Sequence, residues 1–194
     1  MTARNMKERP QLHTGTALEE NQATTLTTES SDPRRQGPAL LACVLAAPAA
    51  KVTTVLTLLR PELVALVDAP TSRVLAAAAD LAARGVDPTP VTVVDELQRV
   101  GEFVDGHHAE LLRSRVLDAA TNHQPPERLR ALAAALAAQL LRARGVTAGE
   151  AITATYASGA EDDCEPLLLR EGAAVRELHR VVEALRSDIG RVTE

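Results

Sequence analysis

Val175, Leu178, Val182, Leu185 and Ile189 recur at intervals of 3, 4, 3 and 4. No other feature constrains the chain as much, because an α-helix returns such positions to one side as a heptad seam. Upstream, Leu129, Leu132, Leu136 and Leu140 form a second stripe, on a helix opened by Pro125-Pro126. Proline is tolerated in that first turn because the N–H it lacks has no intrahelical partner there. Residues 158–163 between the stripes read as a turn. Two long helices joined by a short turn predict an antiparallel helical hairpin over residues 125–190. Gly145 and Gly149 weaken its first helix, yet Ile152 and Tyr156 continue the spacing.

The remainder also reads as helix. Alanine occurs 35 times and leucine 27 times, against one Phe, one Tyr and no Trp. Those two residues lead the helix-propensity scale, and the aromatic residues favoured in strands are nearly missing. The fold class expected is all-α, a small helical head followed by the hairpin. Within the head, residues 38–124, Leu40, Leu41, Val44 and Leu45 give one apolar face of a helix with Pro38 in its opening turn. Val52, Val55, Leu56 and Leu59 mark a second helix over about 49–59 that stops before Pro61. Thr71 suits the N-cap of a third over 72–84, with Gly85 as its stop. Thr92 then caps a short helix that carries Asp95 in its first turn, where a carboxylate meets the positive dipole end. Leu111, Leu112 and Val116 mark one more over about 108–120. Residues 1–37 hold seven Thr, five residues of each charge sign and isolated leucines without period, as expected of a disordered tail.

Several function classes fall away. No apolar run reaches the ~20 residues of a membrane helix, and no basic-then-apolar leader opens the chain, so a cytoplasmic location with no membrane partner is expected. Its formal charge of −5 speaks against a surface that grips a phosphate backbone, so direct nucleic-acid binding is expected to be weak or absent. A phosphate loop needs a glycine-rich turn leading to Lys, and neither Lys7 nor Lys51 follows one. His107 and His108 are adjacent, point different ways on any regular element, and read as a solvated helix entry, not a metal site. Cys43 lies on an apolar helix as a small hydrophobe, and both it and Cys164 are expected as free thiols. The cluster Glu161-Asp162-Asp163 lacks the alternating ligands and glycine of a calcium loop and suits a helix N-terminus. The arginine pairs 113/115, 128/130 and 142/144 stand on divergent faces and read as solvated surface. No catalytic, cofactor or metal site is expected.

The order of motifs resembles a known family. Residues 39–45, Ala-Leu-Leu-Ala-Cys-Val-Leu, are followed by Val55-Leu56-Thr57-Leu58-Leu59-Arg60-Pro61-Glu62-Leu63. Arg73 to Gly85 comes next, then Val86-Asp87-Pro88-Thr89-Pro90-Val91-Thr92-Val93-Val94-Asp95-Glu96-Leu97, and finally Gly159 to Leu168. This succession is similar to the N-terminal domain of bacterial replicative DNA helicases of the DnaB type, over about residues 39–187. The helicase-binding domain of bacterial primases has a related shape. The resemblance implies a non-catalytic interaction module of DNA replication that lacks the ATP-driven motor. By the same resemblance its partners would be a copy of itself, the helicase or primase. Leu129, Leu132, Leu136, Leu140, Val175, Leu178, Val182 and Leu185 are the candidate interaction residues, since the seam exceeds what a two-helix hairpin buries alone. The alternative from another class is a small helical regulator that binds DNA directly.

Overall fold

The computed structural model describes residues 33–104 and 106–187. Among these residues the chain is all-α, without a strand. The helices are α1 Pro33–Ala46, α2 Ala49–Leu58, α3 Pro61–Val64, α4 Ala69–Ala83, α5 Pro90–Arg99, α6 His107–Thr121, α7 Leu129–Ser158 and α8 Glu161–Ser187, with a 3-10 turn at Pro126–Arg128 before α7. Most of the expected tail, residues 1–32, lies outside the described residues, as does Ile189 of the seam.

α1 organises the fold. From Leu40 to Leu45 it is buried on every side, as a helix that is apolar all round must be. It packs on α4, α6 and α7. It starts at Pro33 and not at Pro38, which stands inside it. Residues 33–37 carry no apolar side chain to set a period; half-buried Gln36 and buried Gly37 join the helix through tertiary packing instead. The place where Gly37 would carry a Cβ is 3.6 Å from Asp68 Oδ2 and 3.5 Å from the Thr71 methyl.

The caps of the next helices also differ from expectation. α4 is capped by Asp68, three residues before Thr71, whose amide donates to Asp68 Oδ1 at 3.1 Å and whose hydroxyl donates to Oδ2 at 2.8 Å. The Arg115 guanidinium stands 3.3 Å from the same carboxylate, and the Ser72 hydroxyl donates to the Pro61 carbonyl at 2.8 Å. Thr71 and Ser72 are thus occupied inside the helix. α5 begins at Pro90 with Thr89 as its cap, and Thr92 closes the capping box from N3. α4 and α5 both end at a glycine with positive φ, Gly85 at +75° and Gly101 at +81°, a conformation glycine adopts at no steric cost.

Residues on both sides of position 124 share one core. Leu75, Leu97, Leu112, Leu136, Leu178 and Leu185, from five helices, belong to a single buried cluster. Where α7 meets its neighbours it does so largely through alanine, with Ala133, Ala134 and Ala137 buried. Small side chains allow close approach and bury less apolar area per residue than leucine.

Candidate interaction surface

The structure brings the two leucine and valine stripes together, but inside one chain. Leu129, Leu136, Leu140, Leu178, Val182 and Leu185 are buried in the common core, and Leu132 is half-buried against it. Val175 is half-buried on α8. Within the single chain α7, α8 and the helices around α1 cover these stripes, while in the neighbouring row Leu141, Leu167 and Val181 are half-buried and Leu168 and Leu169 exposed.

Polar anchors hold the pair in register. Arg130 donates from Nε to the Leu185 carbonyl at 2.9 Å and from Nη2 to the Ala184 carbonyl at 2.7 Å. These carbonyls lie in the last turn of α8, where the negative dipole end welcomes a cation. Farther along, Arg144 Nη2 meets Glu171 Oε2 at 2.5 Å, and Arg170 Nε meets Oε1 of the same carboxylate at 3.2 Å. Glu171 is buried, so it depends on these two cations. Arg60 reaches Glu177 from the start of α3.

Beyond Glu171 the pair is exposed. Val146 is 62%, Tyr156 60%, Leu168 46% and Leu169 59% accessible, while Ile152 and Leu167 are half-buried. Charge is divided along the same axis. Residues 145–168 hold Glu150, Glu161, Asp162, Asp163 and Glu165 and no Lys, Arg or His; the flanks 126–144 and 169–187 hold eight Arg against four Glu. Glu161, Asp162 and Asp163 occupy the first turn of α8, the favourable end for anions.

A second apolar face lies between α5 and α6. Pro90, Val91, Val94, Val116 and Leu117 line a groove of about 360 Å³ there, and Val91 and Leu117 are both well exposed. At its edge the Arg113 guanidinium stacks 4.9 Å above the Phe103 ring.

The remaining chemical groups take structural places. Arg84 and Arg99 grip Glu96, with Arg84 Nη2 at 2.8 Å and Arg99 Nη2 at 2.5 Å. Their hydrogen bonds hold the Glu96 carboxyl well below the usual carboxylate range, at about 2. Cys43 is fully buried, donates to the Pro125 carbonyl at 3.3 Å, and has its thiol pKa raised by burial. Both cysteines are free. His107 and His108 stand exposed at the start of α6, with His108 Nε2 3.0 Å from Glu102 Oε2. Among the described residues no three His, Cys, Asp or Glu side chains gather as a metal site, and no helix is long and apolar enough to cross a membrane.

Arg113, Arg128 and Arg142 are exposed, as expected of solvated surface, but the other member of each pair differs. Arg115, Arg130 and Arg144 bind Asp68, the end of α8 and Glu171. Their partners are 47, 55 and 27 residues away, so no local pattern could mark them. Compared with known proteins, the chain matches no family model, no curated protein and no solved structure.

Proposed function

We propose that this chain is a non-catalytic helical interaction module acting in DNA replication, arranged like the N-terminal domain of a replicative helicase. In this reading residues 38–124 are the head and residues 125–190 an antiparallel hairpin. The ties of Arg130 to residues 184 and 185 and of Arg144 to Glu171 support that arrangement, since numbers rise along one helix as they fall along the other.

The observation that carries the reading is the division of charge beside exposed apolar side chains on α7 and α8. A second copy laid alongside in the opposite sense would cover Tyr156, Leu168 and Leu169 and bring five carboxylates against the partner's arginines. Complementary charge of this kind sets orientation and encounter more than strength. Helicase or primase would meet the module on the same hairpin or at the α5–α6 groove.

Light scattering of the full chain from low to high micromolar concentration, at low and high salt, tests self-pairing. The expected result is a dimer that weakens as salt rises; single chains throughout the range refute it. Pull-down with purified helicase and primase tests the replication partner. DNA retention that falls with salt, with neither protein captured, would replace this reading by that of a DNA-binding regulator.

A further inference from the structure

We propose that the outer third of the α7–α8 pair, residues 145–170, opens as a unit of its own while the rest of the chain stays folded, with the Arg144–Glu171 ion pair as the latch at its inner edge. This opening belongs to the single chain and does not rest on the self-pairing proposed above.

Four observations converge on the same boundary. First, burial stops there. Between Leu140 and Leu178 the only buried residues are Ala148 and Glu171, so little apolar surface holds the outer helices closed. Second, the outer segments are poor helices. Gly145 and Gly149 lie inside α7 with nothing within 4 Å of where a Cβ would stand, so no packing demands a glycine. Each disfavours the helix relative to alanine, and Pro166 removes a backbone donor inside α8.

Third, cross-ties end at the latch. Outward of Arg144 and Glu171, the side chains of Thr153, Ser158 and Cys164 hydrogen-bond only four residues back, to the carbonyls of Gly149 and Ala154 on α7 and of Ala160 in the turn before α8. Fourth, the segment up to Leu168 carries five carboxylates and no cation, so no ion pair within it offsets the like charges at positions 161–165. Inside the boundary every trend reverses, with Leu136, Leu140, Leu178 and Leu185 fully buried and Arg130 clasping the end of α8. Opening therefore costs little outside Glu171 and much inside it, and releases the half-buried faces of Ile152 and Leu167.

Native-state hydrogen exchange read by mass spectrometry tests the idea on the full chain, at a concentration where light scattering reports single molecules. Amides of residues 147–168 should be protected at least roughly hundredfold less than those of 133–141 and 176–186. The double variant Gly145→Ala, Gly149→Ala should raise protection of the outer amides by roughly thirtyfold, from two helix-propensity gains, and leave the inner ones unchanged. Glu171→Gln should lower outer protection alone. Outer amides protected to within tenfold of the inner ones would overturn the proposal. So would an alanine pair without effect, or a Glu171→Gln change spread equally over the chain.

Discussion

Truncating Leu185 and Leu169, both on α8, separates a residue that holds the chain together from one that the single chain leaves exposed. Leu185 is fully buried, whereas Leu169 is 59% exposed. Leu185→Ala removes roughly three methylene equivalents, or about 2.4 kcal/mol of transfer energy at ~0.8 kcal/mol each. The cavity left behind adds to this in proportion to how little the site can collapse. Here the backbone is pinned, because Arg130 holds the carbonyls of Ala184 and Leu185 at 2.7 and 2.9 Å. The loss should therefore fall at about 3–5 kcal/mol, the usual span for leucine truncation in a rigid core. Of a typical folding free energy of about 5–15 kcal/mol that is a large share. Leu169→Ala should change the stability of the single chain by no more than about 0.5 kcal/mol. Urea unfolding followed by circular dichroism, at two protein concentrations at least tenfold apart, gives both numbers. If Leu185→Ala costs under 1 kcal/mol, or its cost depends on protein concentration, the seam is not internal and the account given for it fails.

Three further outcomes follow from other contacts. Glu96 has its pKa lowered from an ordinary 4.5 to about 2, so its stabilisation is fully present above about pH 4.5 and is lost as pH falls from there through 2. The gap in melting temperature between wild type and Glu96→Gln should accordingly close across that window, and a constant gap would contradict it. Exposed-thiol reagents should modify Cys164 quickly and Cys43 only on unfolding, since Cys43 is buried with a raised pKa; equal rates in the native protein would refute this. Gly159 forms the α7–α8 turn, and a Cβ there would stand 2.7 Å from the Thr155 carbonyl oxygen. Gly159→Val should force that turn apart and produce exchanged dimers on gel filtration, whereas an unchanged elution profile and melting curve would show that the turn adapts.

Much of this fold is legible in the sequence, and the failures have one cause. The stripes on α7 and α8 are visible because burial on one side of a helix imposes a period. Gly85 is visible as a stop because few residues adopt a positive φ. Thr71 is misread as a cap because Asp68, Thr71 and Ser72 all carry cap-forming oxygens. Arg115 and the Pro61 carbonyl, distant in sequence, help to fix which residue takes which role. The start of α1 is hidden for the same reason, since residues 33–37 have no apolar period and Gln36 and Gly37 are held by packing against neighbours. The stripe on α8 is legible, but what covers it is not: a seam looks the same whether its lid is the same chain or another. On the candidate surface Leu167, Leu168 and Leu169 are legible as an apolar row beside the stripes, whereas the exposure of Val146 and Tyr156 emerges only once the covered residues are known.

The placement of α1 also has a consequence for synthesis. Leu40 to Leu45 leave the ribosome early, yet part of the shell around them, residues 129–140 of α7, follows some ninety residues later. At typical elongation rates of about 5–20 residues per second, one of the most apolar stretches of the protein waits roughly 5–20 s for that cover. During that interval its safety against aggregation depends on the partial shell offered by α4 and α6 and on whatever chaperone meets the nascent chain.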